Sequence, residues 1–316
     1  MSEPNPHFET RTLPYGEAAI AEATTLIAAG ECVAVPTETV YGLAADATHA
    51  AAVAGIYAAK GRPSFNPLIV HVADRAAAEK IAMFDRDARA LADSFWPGPL
   101  TLVLPIRPDA TLAGLVTAGL TTVAIRVPQH RAMQALLAAT GVPLAAPSAN
   151  ASGSISPTRA AHVAASLGGR IPLIVDDGPT SGGIESTIVA LGGGARLLRP
   201  GPIAADAIER EIGRWLGVAG EGVEAPGQLA SHYAPSKPLR LDATEAREGE
   251  WLIGFGAVAG DDTLSASGDL TEAATRLFDA LHRADASDRT AIAVAPVPDD
   301  GIGIAINDRL NRAAHD

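Results

Sequence analysis

Through the first two thirds of the chain, apolar residues alternate between helical spacing and short unbroken runs. Spacing of three to four residues predicts helices over Glu17–Ala29, His49–Lys60, Asp74–Ala82, Asp85–Phe95, Arg131–Ala139 and Ala204–Leu216. A further helix is expected to start at Pro157, because proline suits a first helical turn. Unbroken apolar runs predict buried strands at Cys32–Val35, Leu68–Val72, Leu100–Ile106, Val123–Val127, Leu144–Ala146 and Leu173–Val175. Ser186–Leu191 and Ala195–Leu198 add two more, joined as a hairpin by three glycines at 192–194. Gly30, Gly61 and Gly141 stand just past helix ends, where a left-handed backbone closes the last turn. The pattern predicts an α/β domain with a mixed sheet rather than a regular doubly wound one.

Residues 217–238 break this pattern. They are rich in Gly, Pro, Ala and Ser, lack periodicity, and read as a linker. Its length exceeds that of a simple connection, and such loops are often functional. Beyond it, Trp251–Phe255, Leu270–Arg283, Ala291–Val294 and Asn307–Ala314 predict strand, helix, strand and helix, a small second α/β domain. The expected division is therefore 10–216, a linker at 217–238, and 239–316.

Composition narrows the function classes. A chain of 316 residues has room for two domains. With aromatics at 4%, the core must come mainly from Ala, Val, Leu and Ile. The net charge of −12 argues against a protein whose main task is gripping nucleic acid. Cys32 stands alone, which excludes an intrachain disulfide and a cysteine-based metal cluster and suits the cytoplasm. The N-terminus lacks the basic and apolar regions of a signal peptide, and no stretch approaches the ~18 apolar residues of a membrane span. Only three of the 24 basic residues are lysines, so Lys60 stands out as one retained among arginines.

No P-loop, nucleophile elbow or HExxH motif is present, and the histidines show no metal-ligand spacing. Instead, polar residues gather at strand ends. In PTETVYGL (36–43) the threonines either form a turn or present hydroxyls. In KGRPSFNPLIVH (60–71), Lys60 and Arg62 suit a helix C-terminus, whereas Asn66 and His71 are less easily explained that way. Arg126, inside TVAIRVP, either faces solvent on an edge or a polar cavity, since an unpaired buried arginine is costly. APSAN (146–150), running on to Ser156, is a plain loop or a set of short hydrogen-bond donors, and Arg199 is a surface charge or an anion ligand. Together these cations, hydroxyls and amides could hold a triphosphate and a small zwitterion.

In this order, PTETVYGL, KGRPSFNPLIVH, WPGPLTLVL, TVAIRVP, APSANASGSISPT, ESTIV and LLRPGP resemble the Sua5/YrdC/YciO family over about residues 10–215. The later HYAPSKPL and GIGIAINDRLNRAA resemble the linker and second domain that separate the Sua5 form from the shorter YrdC form. The chain stops soon after Ala314, so the last helix is expected to be short. The resemblance implies a YrdC-like twisted mixed sheet with a large concave cavity, plus a small Rossmann-like C-terminal domain. It implies a nucleotidyltransferase making L-threonylcarbamoyl-AMP and pyrophosphate from L-threonine, bicarbonate and ATP, for threonylcarbamoyladenosine in tRNA. Thr39, His71, Arg126, Ala146 and Ser186 would then surround threonine. Arg62, Asn66, Thr122, Ser148, Asn150, Ser156, Arg199 and Tyr233 would surround ATP. Lys60 and Arg62 would stabilise phosphates, and Arg126 would take the threonine carboxylate. Mg²⁺ would be held mainly by ATP, and separate transfer proteins would carry the product to tRNA. His232 and Tyr233 make the linker a candidate lid, mobile when free and ordered over bound nucleotide. Two other readings are an RNA-binding module, disfavoured by charge and few aromatics, and a carbamoyltransferase of the same fold.

Overall fold

The computed structural model describes residues 8–315 except 221, 223 and 229–231. Among the described residues, one large mixed sheet contains β1 (Arg11–Pro14), β2 (Val33–Pro36), β3 (Tyr41–Asp46), β4 (Ile69–His71), β5 (Leu100–Pro105), β6 (Thr122–Arg126), β7 (Leu144–Ala145), β8 (Leu173–Asp176), β9 (Thr187–Ala190), β10 (Arg196–Arg199) and β11 (Gly217–Val218). Their spatial order is β1-β8-β2-β3-β7-β4-β6-β5-β9-β10-β11. The strands read as unbroken apolar runs because most are covered on both faces. On one side, Leu43, Val70, Leu102 and Ile125 pack with Ile56 and Leu91 of the helices Ala50–Lys60 and Arg86–Phe95. Helices Glu17–Ala28 and Arg131–Thr140 pack on β2 and β8 through Ile27, Leu136, Val33 and Val175.

The opposite face of the central strands carries a separate apolar cluster that contains no helical residue. Ile69, Val103, Ala124, Ile188, Ala190 and Leu198 form an apolar floor there, covered by Ala225 of the linker. The pleat sends alternate residues to this face, so His71 follows Ile69 and Arg126 follows Ala124 onto it. An irregularity between Leu197 and Arg199, where β10 pairs with β9, re-aims Arg199 to the same side.

A second sheet, wholly parallel, contains β12 (Leu239–Arg240), β13 (Glu250–Gly254), β14 (Asp262–Thr263) and β15 (Ala291–Val294) in the order β12-β15-β13-β14. Helices Leu270–Ala286 and Gly303–Ala313 complete it. The last helix begins four residues earlier than Asn307, so it is longer than the sequence suggests. The helix expected at Pro157 starts instead at Ala160. Residues 157 and 158 stay outside the helix because their carbonyls accept backbone hydrogen bonds from Tyr41 and Thr180. β3 is a strand where the threonine-rich segment before it suggested only a turn.

Candidate active site

The strand ends bring the polar segments together around one cavity over the apolar floor. Thr39, Arg62, His71, Arg126, Ala146, Ser148, Ser186, Arg199 and Tyr233 all line it, together with Glu185 and His232. Thr37 makes the turn that the threonine spacing allows: its hydroxyl donates to Val40 O at 2.7 Å and accepts from the Thr39 and Val40 N–H groups. That turn delivers the Thr39 hydroxyl to Arg126, whose Nη1 donates to it at 3.0 Å.

Arg126 is buried and held on three sides. Its Nε donates to Gly98 O at 3.1 Å, and its Nη2 to Glu38 Oε1 at 2.5 Å. Burial alone would raise the Glu38 carboxyl, but the charge and hydrogen bond of Arg126, helped by the Gln129 N–H, hold it below its ordinary value. Glu38 is absent from the residues read from sequence. It fixes the guanidinium in place and still leaves N–H groups to meet a carboxylate.

His71 lies directly opposite Arg126 in the parallel β4–β6 pair. Burial, then the Arg126 charge, pushes its pKa down to about 3, so it is neutral, and its Nδ1 is buried without a partner. His232 in the linker is likewise pushed down to about 3 by burial, with Lys60, Arg62 and Arg199 adding to the effect against Glu185. Both unfolded imidazoles charge near 6.5 while the folded ones do not. Stability should therefore be full above pH 6.5 and fall as the pH drops from there towards 3. Each pH unit so crossed costs about 1.4 kcal/mol per histidine. Urea unfolding across this range should show the slope, and His71→Gln with His232→Gln should flatten it; an unchanged slope would place the acid sensitivity elsewhere.

The cations on the other side are also oriented by carbonyls. Arg62 donates to Asn66 O at 3.1 Å and Pro67 O at 2.8 Å, and burial lowers its pKa only to about 10. Arg199 donates to Ser186 O through Nε and Nη2 and to Pro226 O of the linker at 3.3 Å. The Ser186 hydroxyl sits 2.7 Å from that of Thr101. Both side-chain polar atoms of Asn66 are buried without partners, an orphaned amide of the kind that marks a ligand position.

Five of the sequence-derived residues are outside the cavity lining. Thr122 shares the Arg126 face of β6 but at its other end. Asn150 shapes its own loop, donating to Ala151 O and Ser154 O. Ser156 donates to Glu185 Oε1 at 2.5 Å. Asn66 meets Arg62 only through its backbone carbonyl, which accepts from Nε. Lys60 differs most from its expected role: its Nζ donates to Ser148 O and Asn150 O, both at 2.5 Å. It is fully buried, and burial together with Arg62 lowers its pKa well below the ordinary value. Its side-chain nitrogen meets the two loop carbonyls and does not line the cavity.

Pro226, Gly227, His232 and Tyr233 of the linker line the cavity. Tyr233 is buried and adopts a positive φ of 65°, and its hydroxyl is buried without a partner. Arg196 fixes the linker with a forked pair to Glu224 at 2.5 and 2.7 Å. The space left inside, about 40 Å³ for the centres of water-sized spheres, has room for a few waters.

Such a fold and site define a two-domain α/β protein whose cavity is walled by three arginines and bordered by its linker. Residues 25–201 match the Sua5/YciO/YrdC family profile, described as telomere recombination. Residues 203–315 match the C-terminal domain of threonylcarbamoyl-AMP synthase. The threonylcarbamoyl-AMP synthase of Bacillus subtilis is 43% identical over 96% of this chain and 95% of its own length. The crystal structure of Pyrococcus abyssi Sua5 complexed with L-threonine superposes with a TM-score of 0.88 at 36% identity, covering 96% of this chain and 97% of that one. The structure of E. coli YciO shares the fold of the first domain, with a TM-score of 0.54 at 20% identity over 61% of this chain and 96% of that one. The chain belongs to the Sua5/YciO/YrdC family, in the two-domain threonylcarbamoyl-AMP synthase form. Among the described residues, no helix is long and apolar enough to cross a membrane.

Proposed function

We propose that this chain makes L-threonylcarbamoyl-AMP and pyrophosphate from L-threonine, bicarbonate or CO₂, and ATP, for tRNA modification. The observation that carries this reading is the partition of the cavity. At one end Arg126 is fixed beside neutral His71, with Thr39 nearby. Towards the other, Arg62 and Arg199 stand over the apolar floor.

Arg126 suits the threonine carboxylate because a planar guanidinium matches it in a fork. Thr39, His71, Ser186 and the backbone at Ala146 complete the threonine end. The threonine nitrogen forms a bond to the carbon of CO₂ and loses a proton, giving an N-carboxylate. A carboxylate oxygen then attacks the α-phosphorus of ATP, and the bond to the bridging oxygen breaks to release pyrophosphate. The protein's task is to hold two anions against each other and offset charge on the phosphoryl group. Arg62 and Arg199 do this, with Asn66, Ser148 and Ser156 nearby. Adenine takes the apolar floor towards Thr122, and the linker closes over it through Tyr233. Closure protects the N-carboxylate, which is labile in water.

Mg²⁺ would be bound through the phosphate oxygens of ATP. The buried site carboxylates Glu38 and Glu185 are already paired with arginines, and no group of three metal-ligating side chains is found among the described residues. The acidic chain then hands its product to separate transfer proteins rather than binding tRNA tightly itself. Incubation with ATP, Mg²⁺, threonine and ¹³C-bicarbonate should yield an adenylate carrying the label, detected by mass, with pyrophosphate release that requires threonine. Pyrophosphate release driven by carbamoyl phosphate instead would favour the carbamoyltransferase reading and sink this one.

A further inference from the structure

The helix Gly303–Ala313 presents an apolar stripe of Ala305, Ile306, Leu310 and Ala313, and Arg309 stands within it. Arg309 has 0% exposure. Such a charge is costly to bury, and an apolar residue would staple two domains as well or better. Its contacts therefore need a reason. The guanidinium crosses from the second domain into the first. Nε donates to Glu185 Oε2 at 3.0 Å, Nη1 to Pro200 O at 2.8 Å, and Nη2 to Glu185 O at 3.4 Å. Asp308 pairs with it at 2.8 Å, and the Tyr233 ring centroid is 5.6 Å away.

Glu185 is the only carboxylate among the described residues lining the cavity. It is near enough to Arg199 for the two charges to influence each other. A carboxylate free to turn towards Arg199 would neutralise a cation needed by a polyphosphate. In the structure both its oxygens are taken: Oε2 by Arg309 and Oε1 by the Ser156 hydroxyl. Burial would raise the Glu185 carboxyl, but Arg309, then Arg199, with the Ser156 hydrogen bond, keep it below its ordinary value. It therefore stays a charged group whose direction matters.

We propose that Arg309 is a positioning residue of the catalytic cavity: the second domain uses it to hold Glu185 away from Arg199, leaving that cation free for the phosphates of ATP. The inference rests on the reading of the cavity as an ATP and threonine site. It gives the second domain a part in nucleotide binding beyond anchoring the linker.

Calorimetric titration with ATP–Mg²⁺ and, separately, with L-threonine tests it without relying on turnover. Arg309→Met should weaken ATP binding by about tenfold or more while threonine affinity stays within about threefold of wild type. Adding Glu185→Gln removes the competing charge and should bring ATP affinity back to within about threefold of wild type. If Arg309→Met does not fold, Arg309→Gln, which keeps a donor for Pro200, carries the same expectations. Unchanged ATP affinity in the single variant overturns the proposal. So does a loss that persists undiminished in the double variant, or a parallel loss of threonine binding, since each describes a structural staple. Wild-type protein that binds ATP and threonine but forms no adenylate would sink the proposed reaction and leave this inference standing.

Discussion

Arg126→Ala should raise the threonine KM by roughly thirtyfold to several thousandfold, while the ATP KM moves much less. Losing one partner of a buried charged contact costs about 2–5 kcal/mol, and each 1.4 kcal/mol is about a factor of ten. The selectivity follows from where the guanidinium is held. Gly98, Thr39 and Glu38 fix it at the His71 end, and Arg62 and Arg199 answer to different carbonyls. The substitution also leaves Glu38 buried without its cation, which should lower stability by about 3–5 kcal/mol. Arg126→Met combined with Glu38→Gln separates the two effects. Stability should return and the threonine KM should not. Steady-state kinetics showing equal changes for both substrates would place Arg126 away from the threonine carboxylate.

Lys60→Met should reduce adenylate formation by about a hundredfold even though the ammonium does not line the cavity. The carbonyls of Ser148 and Asn150 both lose their Lys60 donor; Ser148 O keeps the Asn150 N–H, but a buried acceptor left without a donor, as at Asn150, costs about 1–3 kcal/mol. The loop then drifts, taking with it Ser148 and, across the β3 bridge at Gly42, the backbone that shapes the cavity wall. Lys60→Arg should not rescue the rate, since the longer, planar guanidinium does not fit the buried position where one nitrogen meets both carbonyls at 2.5 Å. Faster amide exchange at 148–152 in Lys60→Met would accompany the loss. Near-normal turnover would reduce Lys60 to a helix-end charge.

How much of this was legible depended on whether a residue's reason lay nearby in sequence. His71 and Arg126 stood out because a polar residue interrupts an apolar run, and both turn onto the cavity face of the sheet. Gly61 and Gly141 closed their helices as expected, each with a left-handed backbone. Lys60 stood out as a lysine among arginines, but the carbonyls it meets lie 88 and 90 residues on, so nothing local showed that contact. Glu38 and Glu185 were visible within PTETVYGL and ESTIV. Their partners, Arg126 and Arg309, lie 88 and 124 residues away, so the pairing could not be read from either motif. Arg309 did leave a signal: it falls three residues after Ile306 and one before Leu310, inside an apolar stripe. β1 was missed because it is largely exposed and mixed in character, and β11, β12 and β14 because two residues carry no period.

The apolar cluster of the second domain does not stop at that domain's edge. Val40, Ile155 and Ile184 of the first domain belong to it, packed with Tyr233, Leu277 and Phe278. At Gly183 the backbone of the first domain approaches the helix Leu270–Ala286 so closely that a Cβ there would lie 2.4 Å from Ala274 O. A division of the chain at the linker would therefore not divide its interior. Cutting there would strand three aliphatic side chains on a wet surface and leave Glu185 without its arginine. A single-domain enzyme of this fold needs a different, polar skin at those positions, so shortening this sequence to its first domain would yield an unfinished, aggregation-prone fragment rather than a smaller synthase.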